Sequence, residues 1–503
     1  MDRKIKIAIP LLALVIIWAL PAPEGLTVYA MRFLAIFMAV ILALILEPLP
    51  NSAVGLIGCV TAGALQLVPL AEKSIAAIAD AAKAGTTAVL PTISSANLGA
   101  SLNWALSGFV DSTVWLIFVA YMFAMGYEKT GLGKRIALVL IKRLGGKSLG
   151  LGFATAMADL VLAPFIPSNT ARSAGSVYPV VKNIPPMYGS LPDKDPRKIG
   201  AYLMWICIAT TSVTSSMFYT GLAPNLLALS LVPKTPGITD PSTVAISWMN
   251  WFWCMLPIGV ILFILVPVLT YMIYPPTQKT FADTPKWAAG ELEKLGSITT
   301  KEILMAIMAL IALLLWIFGD KYLNATMVAL VVLCLMVITD VINWDDVISN
   351  KSAWNTLAWF ATLVAMASGL AKVGFLKWLS AIFAAHLVGS SDFVILLGLL
   401  AVFYFSHYFF ASLTAHTTAL MPILLATGAA AGLDIRLLGM VLAGSLGIMG
   451  ILTPYGTGPS PVYYNTGYIE KKTFWIFGSV YGFIFFAVYA VFALYWFPSA
   501  LKM

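Results

Sequence analysis

The chain is 503 residues long; 60% of its residues are hydrophobic and only 10% are charged. A soluble protein of this length could not cover its surface with so few charges, so the composition predicts an all-α polytopic membrane protein. The net charge of +8 fits cytoplasmic anchoring of membrane spans, and we do not interpret it as nucleic-acid binding.

The first predicted element is a leading span over residues 1–25. It begins with Arg3, Lys4 and Lys6 and continues as an apolar run to Leu20. A cleaved signal peptide is the alternative, but the sequence that follows, 21–23, is a poor cleavage site. We favour a retained span with a cytoplasmic N-terminus.

An internal repeat divides the rest of the chain. Ser168-Asn169-Thr170 has a near copy, Ser412-Leu413-Thr414, 244 positions later, and Trp115 pairs with Trp359 at the same offset. Gly126-x-x-Lys129-x-Gly131-x-x-Lys134 matches Gly369-x-x-Lys372-x-Gly374-x-x-Lys377 at an offset of 243. Three matches in order predict two related halves, residues 26–275 and 303–503, joined by a linker over 276–302.

Charge predicts that the two halves are inverted in the membrane. Residues 128–147 carry six cations and one anion, whereas the equivalent 371–390 carry only the two cations Lys372 and Lys377. The positive-inside rule places the first stretch, and the linker, in the cytoplasm and the second on the other side. Five spans per half and the leading span make eleven, and residues 136–143 are expected to form a helix lying on the membrane surface.

Two apolar segments are interrupted by polar residues and do not fit full crossings. They cover about 148–182 and about 392–431, and each contains one of the repeated triplets. We expect each to be a re-entrant helical hairpin, because non-helical backbone at membrane depth is tolerated where it lines a polar cavity. Broken helices at matching positions of two halves indicate a transporter's binding site.

The residues of the two triplets are suited to binding an anion. Ser, Asn and Thr cap helix N-termini, so Ser168, Asn169, Thr170, Ser412 and Thr414 are candidate binding residues at two positive helix ends. Two opposed tips match a dicarboxylate, with one carboxylate at each. The alternative is that these hydroxyls simply pack between helices.

Two further breaks lie in the spans that follow the hairpins. The first contains Gly221, and the second contains Thr457, Gly458 and Pro459. Proline and glycine disrupt helical hydrogen bonding, so backbone carbonyls at these breaks become available to a substrate or ion. A simple structural kink is the alternative for each.

Arg172 and His416 occupy equivalent positions, four residues after the first serine of each triplet. A charged residue at membrane depth is expensive and is by default functional. We expect both to compensate substrate charge without a bound metal ion. A packed core histidine is the alternative for His416.

Enzyme motifs do not occur. H-E-x-x-H, C-x-x-C, G-x-S-x-G and Walker A sequences are absent, and the four cysteines have no paired spacing. We therefore expect no catalysis, no cofactor and no metal. Three functions remain possible for such a membrane protein: a transporter that exchanges two anions, a symporter that couples an anion to sodium, and, as the third, an anion channel or a transport-dead sensor.

The tip residues 167–170, the second Ser-x-Thr tip and the break at 457–461 resemble the divalent anion/sodium symporter (DASS) family. The likeness covers nearly the whole chain and is greatest to the bacterial exchanger branch of citrate/succinate, tartrate/succinate and 2-oxoglutarate/malate antiporters. It implies eleven spans, a homodimer, and a transport domain that moves as an elevator against a scaffold. It also implies carboxylate contacts from the tip residues and Thr457.

One departure from the family's pattern bears on coupling. Sodium-coupled members have Ser-Asn-Thr at both tips, whereas here Leu413 stands where the second Asn would be. Leucine has no oxygen for Na⁺. The sequence therefore predicts sodium-independent exchange of C4/C5 dicarboxylates such as 2-oxoglutarate, malate, succinate or fumarate, in a bacterial cytoplasmic membrane. A sodium-coupled di- or tricarboxylate symporter is the alternative.

Overall fold

A computed structural model describes residues 3–319, 322–387 and 389–502, and the side chains of 384–386 lie outside that description. Within the described ranges the backbone is helical, and its one extended pairing is an isolated bridge between Lys147 and Thr280. The predicted all-α fold class is confirmed.

Nine principal helices lie within residues 3–181. In chain order they are α1 Arg3–Ala19, α2 Val28–Leu46, α3 Asn51–Ala64, α4 Leu67–Ala84, α5 Leu98–Leu106, α6 Ser112–Thr130, α7 Leu132–Leu144, α8 Ser148–Leu162, and α9, in which a π-helix, Thr170–Val177, continues into Tyr178–Val181.

Twelve principal helices follow in the described part of the chain. They are α10 Gly200–Met217, α11 Ala223–Leu231, α12 Trp248–Ile273, α13 Asp283–Leu295, α14 Thr300–Phe318, α15 Ala325–Ile338, α16 Lys351–Lys372, α17 Phe375–Leu387, α18 Asp392–Phe405, α19 Leu413–Ala430, α20 Ile435–Gly444 and α21 Lys471–Tyr495. Between α20 and α21 lie only short helices, among them Gly450–Leu452 and Ser460–Tyr464.

Eight helical stretches are long and apolar enough to cross a membrane, and two bent pairs bring the number to ten among the described residues. The eight are Val28–Leu46, Ser95–Thr130, Pro241–Ile273, Thr300–Phe318, Asp392–Phe409, Leu413–Ala430, Ile435–Leu452 and Lys471–Tyr495. The polytopic class is therefore clear, whereas the count of eleven spans is not confirmed.

The repeat matches are visible in the backbone. Helix α6 ends at Gly131, with φ +78°, and α16 gives way to α17 around Gly374, with φ +80°. Glycine adopts this left-handed conformation without the steric cost that a Cβ adds. The amphipathic helix expected over 136–143 is the central part of α7, which has several buried apolar side chains and ends in Lys142 and Arg143.

The equivalent helices α6 and α16 pack antiparallel. The Phe118 ring lies 4.6 Å from the Trp354 ring, near the start of α16. Trp104, which precedes α6, donates to the Ala365 carbonyl further along α16, at 3.2 Å. Opposite directions for two equivalent helices are what an inverted repeat requires. The domain boundaries drawn from the sequence stay predictions.

Both segments expected to be hairpins are helix–turn–helix units. Helices α8 and α9 flank an irregular turn over 163–169, which we name tip 1. Helices α18 and α19 flank residues 406–412, which we name tip 2. Each helix of the second unit, when the short turn after α18 is included, is long and apolar enough to cross a membrane by itself. Re-entry at the same face stays a prediction for both units.

Helix α19 lies between two hydrophobic cores. The larger core includes α8, α10, α12 and α21 together with Met421 and Leu425 of α19. The smaller core includes α2, α3 and α16, and α19 contributes three alanines to it, Ala415, Ala419 and Ala426. Leu420 and Ile423 of α19 also pack against this second core.

Candidate functional site

Tip 1 is capped by its own serine. Ser168 Oγ accepts a hydrogen bond from the Ala171 amide at 3.2 Å. Helix α9 therefore begins at the tip with its positive end directed there. The first turns of α9 are π-helical, a form that is rare and often occurs at functional sites.

Tip 2 repeats this geometry at α19. Ser412 is the N-cap residue, and its Oγ accepts from the Ala415 amide at 3.3 Å. Helix α19 is 18 residues long, so its N-terminus carries a well-developed partial positive charge. The capping role inferred for the two serines is present at both tips.

The two tips meet at one cavity of about 210 Å³, the central cavity. Residues of both tips, both breaks and helices α6 and α16 line it, namely Tyr121, Pro167, Ser168, Asn169, Thr170, Leu222, Ala223, Pro224, Trp359, Phe360, Ala411, Ser412, Leu413, Thr414, Thr457 and Gly458. Two helix N-termini at one small cavity suit an anion with two negative groups.

A larger cavity of about 830 Å³, the vestibule, adjoins the central one. The two share Tyr121, Ser168, Thr170 and Trp359. The vestibule is lined mostly by polar residues at and just before the starts of α3 and α16, with Glu128 and Lys351 as its charged members. In this conformation tip 1 is therefore reached from the side where α6 ends and α16 begins.

The second break is fastened to tip 1. Asn169 Nδ2 donates to Thr457 Oγ1 at 2.6 Å, and both residues are buried. A Cβ atom added to Gly458 would lie 1.9 Å from Thr170 Oγ1, so only glycine allows this approach. Residues 288 apart in the chain thus form one wall of the cavity.

Arg172 does not line either cavity. Its side chain is fully buried, and its Nε lies 3.1 Å from Asp159 Oδ2 in an ion pair. Its Nη1 donates to the carbonyl oxygens of Ile166 and Gly221, each at 2.8 Å. Three hydroxyls of α10 surround Nη2 at 3.0–3.4 Å, those of Thr211, Thr214 and Ser215.

Arg172 is therefore paired within the protein, and its predicted role in compensating substrate charge stays a prediction. The guanidinium charge is balanced by the Asp159 carboxylate. Through these hydrogen bonds Arg172 connects a carbonyl of tip 1 with a carbonyl of the first break. Gly221 contributes to the site through that carbonyl and does not itself line the central cavity.

His416 is also buried behind its tip. It stacks on Phe410 with ring centroids 4.9 Å apart, and its Nδ1 lies 3.0 Å from His407 Nδ1. The structure therefore places His416 against aromatic rings and not in the lining of the central cavity. Its charge-compensating role stays a prediction.

Most of the predicted binding residues come together. Seven of them line the central cavity: Ser168, Asn169, Thr170, Ser412, Thr414, Thr457 and Gly458. Pro459 does not line it and instead precedes the short helix Ser460–Tyr464, where its ring fits the start of a helix.

The sequence interpretation missed the aromatic wall of the cavity, formed by Tyr121, Trp359 and Phe360. Trp359 carried a signal, because it repeats Trp115 in the first half. Tyr121 and Phe360 carried none, since an aromatic residue inside an apolar helix is ordinary. Within the described residues, no group of His, Cys, Asp and Glu side chains is arranged to hold a metal ion.

Discontinuous helices that meet at a polar cavity inside an apolar bundle define a membrane protein with the architecture of a secondary transporter. The chain belongs to the family described as the sodium:sulfate symporter transmembrane region, whose model matches residues 1–501. The resemblance to the DASS family is confirmed.

Relatives match over almost the whole chain. The L-tartrate/succinate antiporter of Escherichia coli K12 is 41% identical over 494 residues, covering 98% of this chain and 97% of the relative. The citrate/succinate antiporter of the same strain is 42% identical over 489 residues, covering 96% of each. These relatives are transporters, in keeping with the expectation that the chain is not an enzyme.

Two solved structures share the fold at low identity. The Alcanivorax borkumensis YdaH transporter aligns with a TM-score of 0.57 and 15% identity, over 82% of this chain and 92% of that one. Neisseria gonorrhoeae MtrF aligns with a TM-score of 0.52 and 14% identity, over 82% and 86%. At such identity the likeness concerns the fold alone.

Proposed function

We propose that the protein exchanges C4/C5 dicarboxylates of the succinate class across the membrane without sodium. The observation that carries the proposal is the meeting of two serine-capped helix N-termini at one cavity of about 210 Å³. The relatives named as L-tartrate/succinate and citrate/succinate antiporters support the substrate class and the exchange.

The site binds an anion through dipoles and hydrogen bonds. The N-terminal amides of α9 and α19 supply partial positive charge, and the hydroxyls of Thr170, Thr414 and Thr457 add donors. One carboxylate at each tip uses both helix ends. The aromatic wall and Leu413 contact the carbon chain between the carboxylates.

Sodium independence follows from the position of Arg172. Its N–H groups already satisfy the Ile166 and Gly221 carbonyls, so those oxygens need no cation. Leu413 removes the amide oxygen that Asn would offer at tip 2. A sodium gradient then has no site in this region on which to act.

Exchange follows from the cost of moving an empty site. Without substrate, helix-end N–H groups of α9 and α19 would cross the membrane without an anion to receive their hydrogen bonds. A bound dicarboxylate satisfies those donors, so the loaded site crosses more readily than the empty one. The Arg172 charge adds little to this cost, because it is paired with Asp159.

We further propose an elevator movement of the two hairpins against the helices of the second core. The position of α19 supports it, because this helix packs on the larger core with one side and on the second core with the other. A homodimer in a bacterial cytoplasmic membrane, with a cytoplasmic N-terminus, completes the proposal.

Counterflow in proteoliposomes tests the function. Purified protein is reconstituted, vesicles are loaded with unlabelled succinate or left empty, and uptake of labelled succinate is measured with Na⁺ or choline outside. Uptake is expected only into loaded vesicles and at the same rate in both salts. Sodium-driven uptake into vesicles lacking dicarboxylate would instead establish the symporter alternative. Flux in both directions without a counter-substrate would indicate a channel.

A further inference from the structure

A pair of stacked histidines lies behind tip 2. His407 follows α18, His416 lies in the first turns of α19, and both are fully buried. Their Nδ1 atoms are 3.0 Å apart, and their ring planes lie within 14° of parallel. His407 Nε2 lies 2.7 Å from the Gly456 carbonyl oxygen.

These contacts assign the ring protons. A carbonyl oxygen only accepts, so His407 Nε2 carries a hydrogen and donates to Gly456. The contact between the two Nδ1 atoms needs one donor and one acceptor. In a neutral His407 that is protonated on Nε2, Nδ1 carries no hydrogen and accepts, so His416 Nδ1 is the donor. Ser406 Oγ lies 3.4 Å from the remaining His416 nitrogen.

Gly456 leads directly into the substrate cavity. The next residue, Thr457, accepts the hydrogen bond from Asn169 of tip 1, and Gly458 packs against Thr170. The backbone at Gly456 is tightly enclosed, because an added Cβ would lie 3.2 Å from His407 Nε2 and 2.9 Å from the Gly450 carbonyl oxygen. A displacement of this carbonyl therefore shifts the Thr457 side of the cavity.

We propose that His407 is a positioning residue for substrate binding, which fixes the Gly456 carbonyl and so holds Thr457 and Gly458 against tip 1. His416 supports it by fixing the tautomer and orientation of the ring. The pair thus connects α19, which begins at tip 2, with the break that completes tip 1. This inference rests on the proposed dicarboxylate exchange.

Burial makes the hydrogen bond between His407 and the Gly456 carbonyl costly to lose. A buried carbonyl that loses its donor forfeits a hydrogen bond and remains unsolvated, which corresponds to roughly a 10-fold effect on an equilibrium constant. Loss of this hydrogen bond destabilises the state in which the second break contacts tip 1. The KM for dicarboxylate is therefore expected to respond more strongly than the maximal exchange rate.

Two amide substitutions separate the contacts of His407. In His407→Gln the amide nitrogen reaches the place of Nε2 and can still donate to Gly456. In His407→Asn the shorter side chain reaches the place of Nδ1 and keeps only the contact with His416. Both variants remove the ring, so loss of aromatic packing is common to them.

Tyr404→Phe is the matched control for a lost buried hydrogen bond. Tyr404 lies on α18 close to His407, is fully buried, and donates to the Gly482 carbonyl of α21 at 3.0 Å. Its second acceptor, at 3.5 Å, is the Ile448 carbonyl, which precedes the second break. Removal of the hydroxyl costs stability in the same helix and takes no hydrogen bond from Gly456 or Thr457. We expect a lower Tm with an unchanged KM.

The experiment measures succinate counterflow in proteoliposomes and, separately, the rise in Tm that succinate causes in detergent. The wild type is measured first, so absence of succinate exchange there counts against the proposed function and not against His407. We expect a KM roughly 10-fold higher for His407→Asn, with a reduced succinate-induced Tm rise, and values near wild type for His407→Gln.

Equal KM values for the Asn and Gln variants, whether raised or unchanged, would overturn the positioning role. So would a rise in KM for Tyr404→Phe as large as that for His407→Asn. Both His407 variants could also yield little folded protein while the part that folds keeps the wild-type succinate-induced Tm rise. That result would count against the positioning role, because the histidine pair would then contribute to packing only.

Discussion

Arg172 donates through Nη1 to the carbonyl oxygen of Gly221 at 2.8 Å, which ties α9 to the break between α10 and α11. The same guanidinium forms a buried ion pair with Asp159. A side chain thus occupies an oxygen-rich pocket that contains one carboxylate and several carbonyl and hydroxyl oxygens. Such oxygens are the ligands that hard cations prefer.

Arg172→Ala is therefore expected to make exchange responsive to sodium. The change leaves Asp159 without its partner and frees the Ile166 and Gly221 carbonyls, so exchange without Na⁺ should fall sharply. Breaking a buried pair in this way costs about 3–5 kcal/mol of stability. Because Na⁺ fits the vacated oxygens, it should restore part of the rate, measured by counterflow in sodium and choline media.

Arg172→Lys serves as the control, since it keeps a cation beside Asp159. Its exchange should stay independent of sodium. Wild-type rates for Arg172→Ala in choline would remove Arg172 from the mechanism. A uniformly inactive Arg172→Ala protein with normal Tm would leave no support for a cation-replacing role.

The sequence predicted the local parts of this site well. A serine cap depends on residues three positions apart, so Ser168 and Ser412 could be placed from the triplets alone. Gly131 and Gly374 mark equivalent helix ends for the same reason, because a left-handed residue is a local requirement.

Contacts between distant segments were not predictable in the same way. The direction in which the Arg172 side chain points depends on α10, and the partner of His407 lies 49 residues away at Gly456. Neither contact leaves a pattern in one sequence. The presence of Asp159 and Arg172 in one apolar hairpin was the single available sign that they pair, since a charge at membrane depth needs a partner.

Thr457→Val should weaken substrate binding. The substitution preserves shape but removes the oxygen that accepts from Asn169 Nδ2 at 2.6 Å, leaving a buried amide without that partner. The loss is about 1–3 kcal/mol, which corresponds to a KM for succinate raised by roughly 10-fold. Counterflow at several external succinate concentrations measures it.

Thr457→Ser retains the hydroxyl and is the matched comparison. It should keep a KM close to that of the wild type. If Val and Ser at this position give the same KM, the hydrogen bond between Asn169 and Thr457 does not contribute to binding.

Leu413→Asn should change substrate preference in favour of hydroxylated dicarboxylates. Leu413 lines the central cavity with an apolar surface that offers no partner to a substrate hydroxyl. An amide at this position can donate and accept. Because an apolar surface rejects an added hydroxyl only modestly, we expect the inhibition ratio of L-tartrate to succinate to shift by about 10-fold.

Leu413→Met keeps an apolar side chain of similar volume and should preserve the wild-type ratio. A ratio of two inhibition constants does not depend on how much protein is reconstituted, so reduced expression cannot imitate the effect. Identical ratios in the Asn and Met variants would contradict a role for Leu413 in substrate preference.

Gly458→Ala and Gly55→Ala form a matched pair that separates binding from stability. The new Cβ would lie 1.9 Å from Thr170 Oγ1 in the first case and 2.1 Å from Thr362 Oγ1 in the second. Overpacking of this kind costs about 1–3 kcal/mol wherever it occurs. Both proteins should therefore show a lower Tm in detergent.

Their transport should differ, because the strain falls in different places. In Gly458→Ala it pushes the second break away from tip 1, so the KM for succinate should rise together with the loss of stability. In Gly55→Ala it falls between α3 and α16, away from both tips, and the remaining folded protein should bind succinate normally. Succinate-induced Tm shifts and counterflow measure the two effects, and an unchanged KM in Gly458→Ala would argue against contact between this break and tip 1 in the substrate-binding state.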